Sequence, residues 1–187
     1  MKLAYITTDE ERYLRTLLDN KEKGLEISLV ITNNPKSPVI EFCSKNKLHC
    51  KIINDKEFSS REEHDFAIMK ELDEADVDLV ILGGYRRLIK DEEFLMKYGR
   101  KMINIHNSFL PNFPGSRPHD EAFLSGVEKS GCTIHFVDAV MDRGDIILQE
   151  EVDISSCKNS QDVYDKLVEA GCKGILKILT SSKIIFR

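Results

Sequence analysis

The run DLVILGG (residues 78–84) decides how the rest of the chain is read. Leu79, Val80, Ile81 and Leu82 follow one another without a polar break and end on two glycines. A strand with one wet face alternates apolar and polar residues. An unbroken apolar run of this length reads as a strand covered on both faces, the signature of a parallel sheet between helices.

Working outward, similar short runs recur at KLAYIT (2–7), EISLVIT (26–32), HCKII (49–53) and KMINIH (101–106). Helical segments separate them. DEERYLRTLLDNKEKG (9–24) places Leu14, Leu17 and Leu18 on one face and stops at Gly24. VIEFCSKNK (39–47) reads as a short helix. SSREEHDFAIMKELDEA (59–75) opens on capping serines and first-turn acids and is expected to bury Phe66, Met69 and Leu72. DEEFLMKYG (91–99) gives another helix. Beyond residue 115 come a helix at PHDEAFLSG (118–126) and strands at CTIHFV (132–137) and DIILQEEVDI (145–154). A last helix, 160–179, is capped by Asn159 or Ser160, with Val163, Leu167, Ile175 and Leu179 facing inward. This alternation predicts an α/β, Rossmann-like fold with a mostly parallel sheet and helices on both faces. With no repeat or linker, residues 1–187 read as a single domain.

Composition narrows the function classes. Hydrophobic residues make up 41% and charged residues 32% of 187 residues, and the net charge is -5. That balance argues against a general nucleic-acid or membrane-surface binder, because both partners reward clustered Lys and Arg. No apolar run reaches membrane-spanning length. MKLAYITTDEER lacks the basic and apolar segments of a signal peptide, so it reads as the start of the fold, and the expected location is the cytoplasm. The five cysteines, Cys43, Cys50, Cys132, Cys157 and Cys172, form no C-x-x-C pair; reduced, largely buried thiols are expected. No metal-ligand spacing, nucleophile elbow, Walker loop or G-x-G-x-x-G is present.

In an open parallel sheet, ligands bind beyond the carboxyl ends of the strands. Two such ends carry polar residues. One is GGYRR (83–87). The other is INIHNSFLPNFPG (103–115), where period two points Asn104 and His106 the same way. Polar residues at a strand end can simply cap backbone groups, so the pair alone leaves both readings open. A buried carboxylate nearby would favour chemistry, and Asp142, on a glycine-bounded turn, is the best candidate. His135 is also possible, although on an alternating strand it can equally be a hydrogen-bonded core histidine. His49, His64 and His119 read as surface or loop residues. An Asn, a His and an Asp around one centre suit direct transfer to a neutral nucleophile through a tetrahedral intermediate. Asn supplies a fixed N–H, a protonated His a stronger donor, and Asp a proton acceptor.

NIHNSFLPNFPG together with GCTIHFVDAVMDRGDIILQ resembles the folate-dependent formyltransferase family. The resemblance extends more loosely to DLVILGGYRRLI and FSSREEHDFAIMKEL. It implies 10-formyltetrahydrofolate as formyl donor and a small-molecule amine as acceptor, with Asn104, His106 and Asp142 as the catalytic trio. Asn104 and His106 would stabilise the oxyanion, while Asp142 would orient His106 and relay a proton through water. It implies that the pterin lies against Arg86, Arg87, Leu88 and Ile89 and against the turn holding Asp138, Val140 and Met141. Arg61, Thr133 and His135 match positions near the substrate. The family context is one-carbon metabolism and purine biosynthesis, in a monomer or a homodimer. A hydrolytic cousin using water as acceptor, formyltetrahydrofolate deformylase, and sugar-amine N-formyltransferases are the alternatives. The chain departs from the family pattern after the first strand. There TTDEERYL replaces a Gly/Ser/Asn-rich loop whose N–H groups cradle the phosphate of phosphoribosylglycinamide. The acids Asp9, Glu10 and Glu11 would repel a phosphate; read as an acidic helix start, they would instead complement the helix dipole. EAGCKG also fails to match the family glutamate that meets the acceptor amine, Asn107 replaces the usual Pro or His, and Asp145 replaces a common Pro.

Overall fold

The structure, a computed structural model, describes residues 1–181, the side chain of Glu22 apart. It is an α/β fold of mostly parallel strands, as the sequence predicts. The chain gathers into two compact units whose division falls after Ile103.

The first unit carries strands β1 (Lys2–Thr7), β2 (Glu26–Thr32), β3 (Cys50–Ile52) and β4 (Leu79–Gly83). They run side by side as β3-β2-β1-β4, all parallel. Leu79, Val80, Ile81 and Leu82 are all buried, as an unbroken apolar run on a two-sided sheet requires. Helices α1 (Arg12–Leu18), α2 (Pro38–Asn46), α3 (Arg61–Ala75) and α4 (Glu92–Tyr98) fill the connections. Ser37 caps α2 and Ser60 caps α3, each side-chain oxygen accepting a backbone N–H.

Three local expectations give way here. Helix α1 is shorter than the apolar pattern suggests. It ends at Leu18, and Gly24, left-handed at φ 80°, closes a separate 3-10 turn over Lys21–Lys23. Its buried stripe is Tyr13, Leu14 and Leu17, so Leu18 rotates partly out. In α3 the buried stripe is Asp65, Ile68, Met69 and Leu72, an i, i+3, i+4, i+7 series. Phe66 lies one residue, about 100°, off that stripe and is 56% exposed. His64, expected at the surface, is fully buried and its Nε2 donates to the Ile53 carbonyl at 3.0 Å.

The second unit begins at Asn104, within strand β5 (Met102–His106). Helix α5 (Pro118–Leu124), strands β6 (Lys129–Phe136) and β7 (Ile146–Asp153) and helix α6 (Ser160–Leu179) follow. β6 and β7 are antiparallel, joined through the turn at residues 137–145. α6 packs on both strands and on α5. Asn159 is its N-cap, accepting from the Asp162 N–H at 2.9 Å. Ala122, Ile154, Val163 and Leu167 form a buried cluster between α5, β7 and α6. At the end of α6, Ile178 takes the buried position expected for Leu179, which is half-buried.

Candidate functional site

Four polar side chains of the second unit converge. Asn104 and His106 stand at the end of β5, His135 near the end of β6, and Asp142 in the β6–β7 turn. His106, His135 and Asp142 are each less than one-tenth exposed. Asp142 Oδ1 lies 3.5 Å from His106 Nδ1 and 3.6 Å from His135 Nε2. Asn104 Nδ2 lies 3.2 Å from His135 Nε2.

The surrounding hydrogen bonds orient both rings. His106 Nε2 is 3.0 Å from the Phe113 carbonyl, which only accepts, so the proton of a neutral ring sits on Nε2 and Nδ1 turns a lone pair toward Asp142. His135 Nδ1 is 2.8 Å from the Phe136 carbonyl and donates there, while Nε2 faces both the Asn104 amide and Asp142 Oδ1. The amide contact orients the Asn104 side chain. His135 is therefore a hydrogen-bonded core histidine and also part of the cluster, so the two readings left open by the sequence coincide.

Burial pushes the His106 pKa below 6.5, more than the neighbouring Asp142 charge raises it. The imidazolium, considered above as a donor, is thus the disfavoured form at neutral pH. Burial works against the charge of Asp142 too. The pull of His135 and His106, with the Gly115 N–H donating to Oδ2 at 2.8 Å, overcomes it and holds the carboxyl below its ordinary value. Asp142 reaches this place on a left-handed backbone (φ 55°). Gly144 follows in the same turn, and a Cβ there would collide with the Phe136 carbonyl.

The loop after β5 is braced by groups that the motif alone did not single out. Thr133 is fully buried; its hydroxyl donates to the Ser108 carbonyl (2.7 Å) and accepts from the Leu110 N–H (3.1 Å). Gln149 on β7 donates to the Leu110 carbonyl (2.8 Å) and to Thr133 Oγ1 (3.1 Å). Ser108 Oγ donates to the Asn112 carbonyl at 2.6 Å. Phe113 and Gly115 then present the carbonyl and N–H that hold His106 and Asp142. Their part is played by backbone atoms, which no residue-type pattern announces. In the same unit Val140 and Met141 stand exposed beside Asp138, an apolar surface on an otherwise polar turn.

The remaining positions belong to the first unit. Arg87 is paired with Asp55, which also accepts from Asn33 Nδ2 at 3.0 Å. Arg86 is exposed, and its N–H donates to Thr8 Oγ1 at 3.2 Å. Ile89 is buried and Leu88 half-buried. Arg61 opens α3. The acids after β1 lead into the helix rather than lying in it: Glu11 is the N-cap of α1, without a side-chain cap bond, and the first turn from Arg12 holds no acid.

An Asn, two His and an Asp brought together in this way suit an enzyme that moves small acyl groups. A model of the formyl transferase family matches residues 1–179, and the chain belongs to that family. Phosphoribosylglycinamide formyltransferase of Bacillus subtilis is 36% identical over 139 residues, covering 74% of this chain and 71% of that protein. The human trifunctional purine biosynthetic protein adenosine-3 is 35% identical over 156 residues, 82% of this chain. The chain spans only 15% of that longer protein. Among solved structures, phosphoribosylglycinamide formyltransferase from Bacillus halodurans superposes with a TM-score of 0.90 at 27% identity, covering 100% of this chain and 99% of that one.

Proposed function

We propose that this chain transfers the formyl group of 10-formyltetrahydrofolate to the amine of a small molecule, with residues 1–187 acting as one catalytic domain. The observation that carries the reading is the closed set of Asn104, His106, His135 and Asp142 in a member of the formyl transferase family. The folate supplies an activated formyl carbon. Exposed Val140 and Met141 suit the flat, apolar part of such a ligand, and we assign Arg86, Arg87, Leu88, Ile89 and Asp138 to it as well. Asn104, its amide oriented by His135, holds an N–H donor where negative charge develops on the formyl oxygen. Neutral His106 offers Nδ1 as the proton acceptor for the attacking amine as the new C–N bond forms, ionised Asp142 beside it stabilises the resulting imidazolium, and that proton passes to N10 of the folate as the C–N10 bond breaks and tetrahydrofolate leaves. Thr133 and His135 act by positioning, since their polar atoms are engaged by the loop and by Asn104. Arg61 is assigned to the acceptor side. The five free cysteines suit a cytoplasmic setting.

Absorbance-monitored loss of formyl from a 10-formyl folate analogue tests this directly, with a panel of amines and with none. Amine-dependent release is expected. Release that ignores the amine would identify a hydrolase, and no release with any amine would refute the transfer reading.

A further inference from the structure

Two of the free cysteines face one another within the first unit. Cys43 lies in the last turn of α2 and is fully buried; Cys50 opens β3 and is half-buried. Their thiols share a hydrogen bond. The chain between them is pinned at both ends. Lys47 closes α2 on a left-handed backbone (φ 56°), and the Leu48 N–H returns to the Cys43 carbonyl at 2.9 Å. The His49 carbonyl accepts from the Val30 N–H at 2.8 Å, and Cys50 pairs with Val30 where β3 joins β2. Helix end and strand start are thus each held by backbone hydrogen bonds, and the two sulfurs meet between them.

The two thiols are not equivalent. The bond to Cys50, reinforced by burial, pushes the Cys43 thiol well above its ordinary range, so Cys43 keeps its proton and donates it to the hydrogen bond. Receiving that bond holds Cys50 below its ordinary value, against the effect of burial. The thiolate is the nucleophilic form of cysteine, and Cys50 is also the member of the pair that solvent reaches. A reachable thiolate with a second thiol in contact is the arrangement in which oxidation ends as a disulfide rather than as a higher acid. Cys132 has the opposite setting: it is buried, and burial pushes its thiol up to about 12.

We propose that Cys43 and Cys50 form a dithiol site oxidised by hydroperoxides. The Cys50 thiolate attacks one oxygen of hydrogen peroxide; the O–O bond breaks, hydroxide leaves and takes a proton from solvent, and Cys50 becomes a sulfenic acid. The Cys43 sulfur then attacks the Cys50 sulfur as the S–O bond breaks, and the departing hydroxide takes the Cys43 proton. Two electrons pass from the thiols to the peroxide, giving one disulfide and two waters. The new bond ties the end of α2 to the start of β3, and a thiol reductant reverses it by exchange. The site lies wholly in the first unit and does not depend on the transfer reading.

Peptide mapping of the folded wild-type chain tests this. The chain is treated with hydrogen peroxide at low concentration, quenched with acid, alkylated in denaturant and digested without reductant. The expected result is the joint loss of the Cys43 and Cys50 thiols, a peptide cross-linked through these two residues, and recovery of both thiols with dithiothreitol. In Cys43→Ser, a sulfenic acid should accumulate at Cys50 and be trapped by dimedone, whereas the wild type passes on to the disulfide. Both thiols surviving while other cysteines oxidise, Cys50 ending as a sulfinic acid in the wild type, or a cross-link from Cys50 to any other cysteine overturns the proposal. The wild-type map decides by itself if the variant does not fold.

Discussion

The loops after β1 and after β5 both follow the carboxyl ends of strands, and both are rich in polar residues. They use them in opposite ways. After β1, the charges are met within their own neighbourhood: Glu10 by Arg12, Glu11 by Arg15, and Asp9 by Arg86, with Asn34 donating a hydrogen bond to it. After β5, the polar groups are aimed at one another across three elements, and the loop's own backbone holds them there. A buried carboxylate between two imidazoles is costly unless hydrogen-bonded, and structure is spent on keeping it so. The contrast separates the cluster that we assign to proton movement from a loop whose charges are paired among themselves.

The sharpest way to break this contrast is Asp142→Asn. It removes the charge that supports a protonated His106, and kcat should fall about 10²–10⁴-fold while folate affinity is retained. An unchanged kcat would place the chemistry elsewhere. Asn104→Ala removes the proposed oxyanion donor, and steady-state kinetics should show kcat lower by about 10²–10³-fold. Thr133→Val keeps the shape but strips the hydroxyl from three partners, two of them backbone groups of the loop. Denaturant unfolding should show a loss of about 1–3 kcal/mol, and kcat should fall as the loop loosens. A variant as stable as the wild type would show that the loop needs no such brace.

Acidification gives the smallest effect, and its sign follows from the two lowered pKa values. His106 is below 6.5 in the fold, so near that pH the unfolded chain takes up a proton before the folded one does, and stability falls as pH drops. Asp142 is below 3.8, so its contribution is present above that value and is lost at still lower pH, as pH falls through its folded pKa. His106→Gln should flatten the first of these slopes in urea melts between about pH 7 and pH 5. A slope as steep as that of the wild type would assign it to another group.

Much of this was legible in the sequence because the signals were local. The unbroken run at 79–82 fixed a two-sided strand, and the two-residue spacing of Asn104 and His106 put them on one face. Asp142 was legible as a candidate because it is an acid on a glycine-bounded turn in the same half of the chain as Asn104 and His106. Other features depended on partners distant in the chain. The identity of the buried stripe in α3 turned on a one-residue phase that Phe66 made ambiguous. The backbone roles of Phe113 and Gly115 leave no mark on residue type. The acids after β1 read as a helix start, and Glu11 is indeed the N-cap, but nothing local reveals that Glu10 is held against Tyr5 and Gly84.

The account turns on the proton state of His106. ¹⁵N NMR of the imidazole nitrogens across pH measures it most directly. The predicted result at neutral pH is a neutral ring protonated on Nε2, with a midpoint below 6.5. A ring already doubly protonated at pH 7, or one carrying its single proton on Nδ1, would contradict the proposed division of labour between His106 and Asp142.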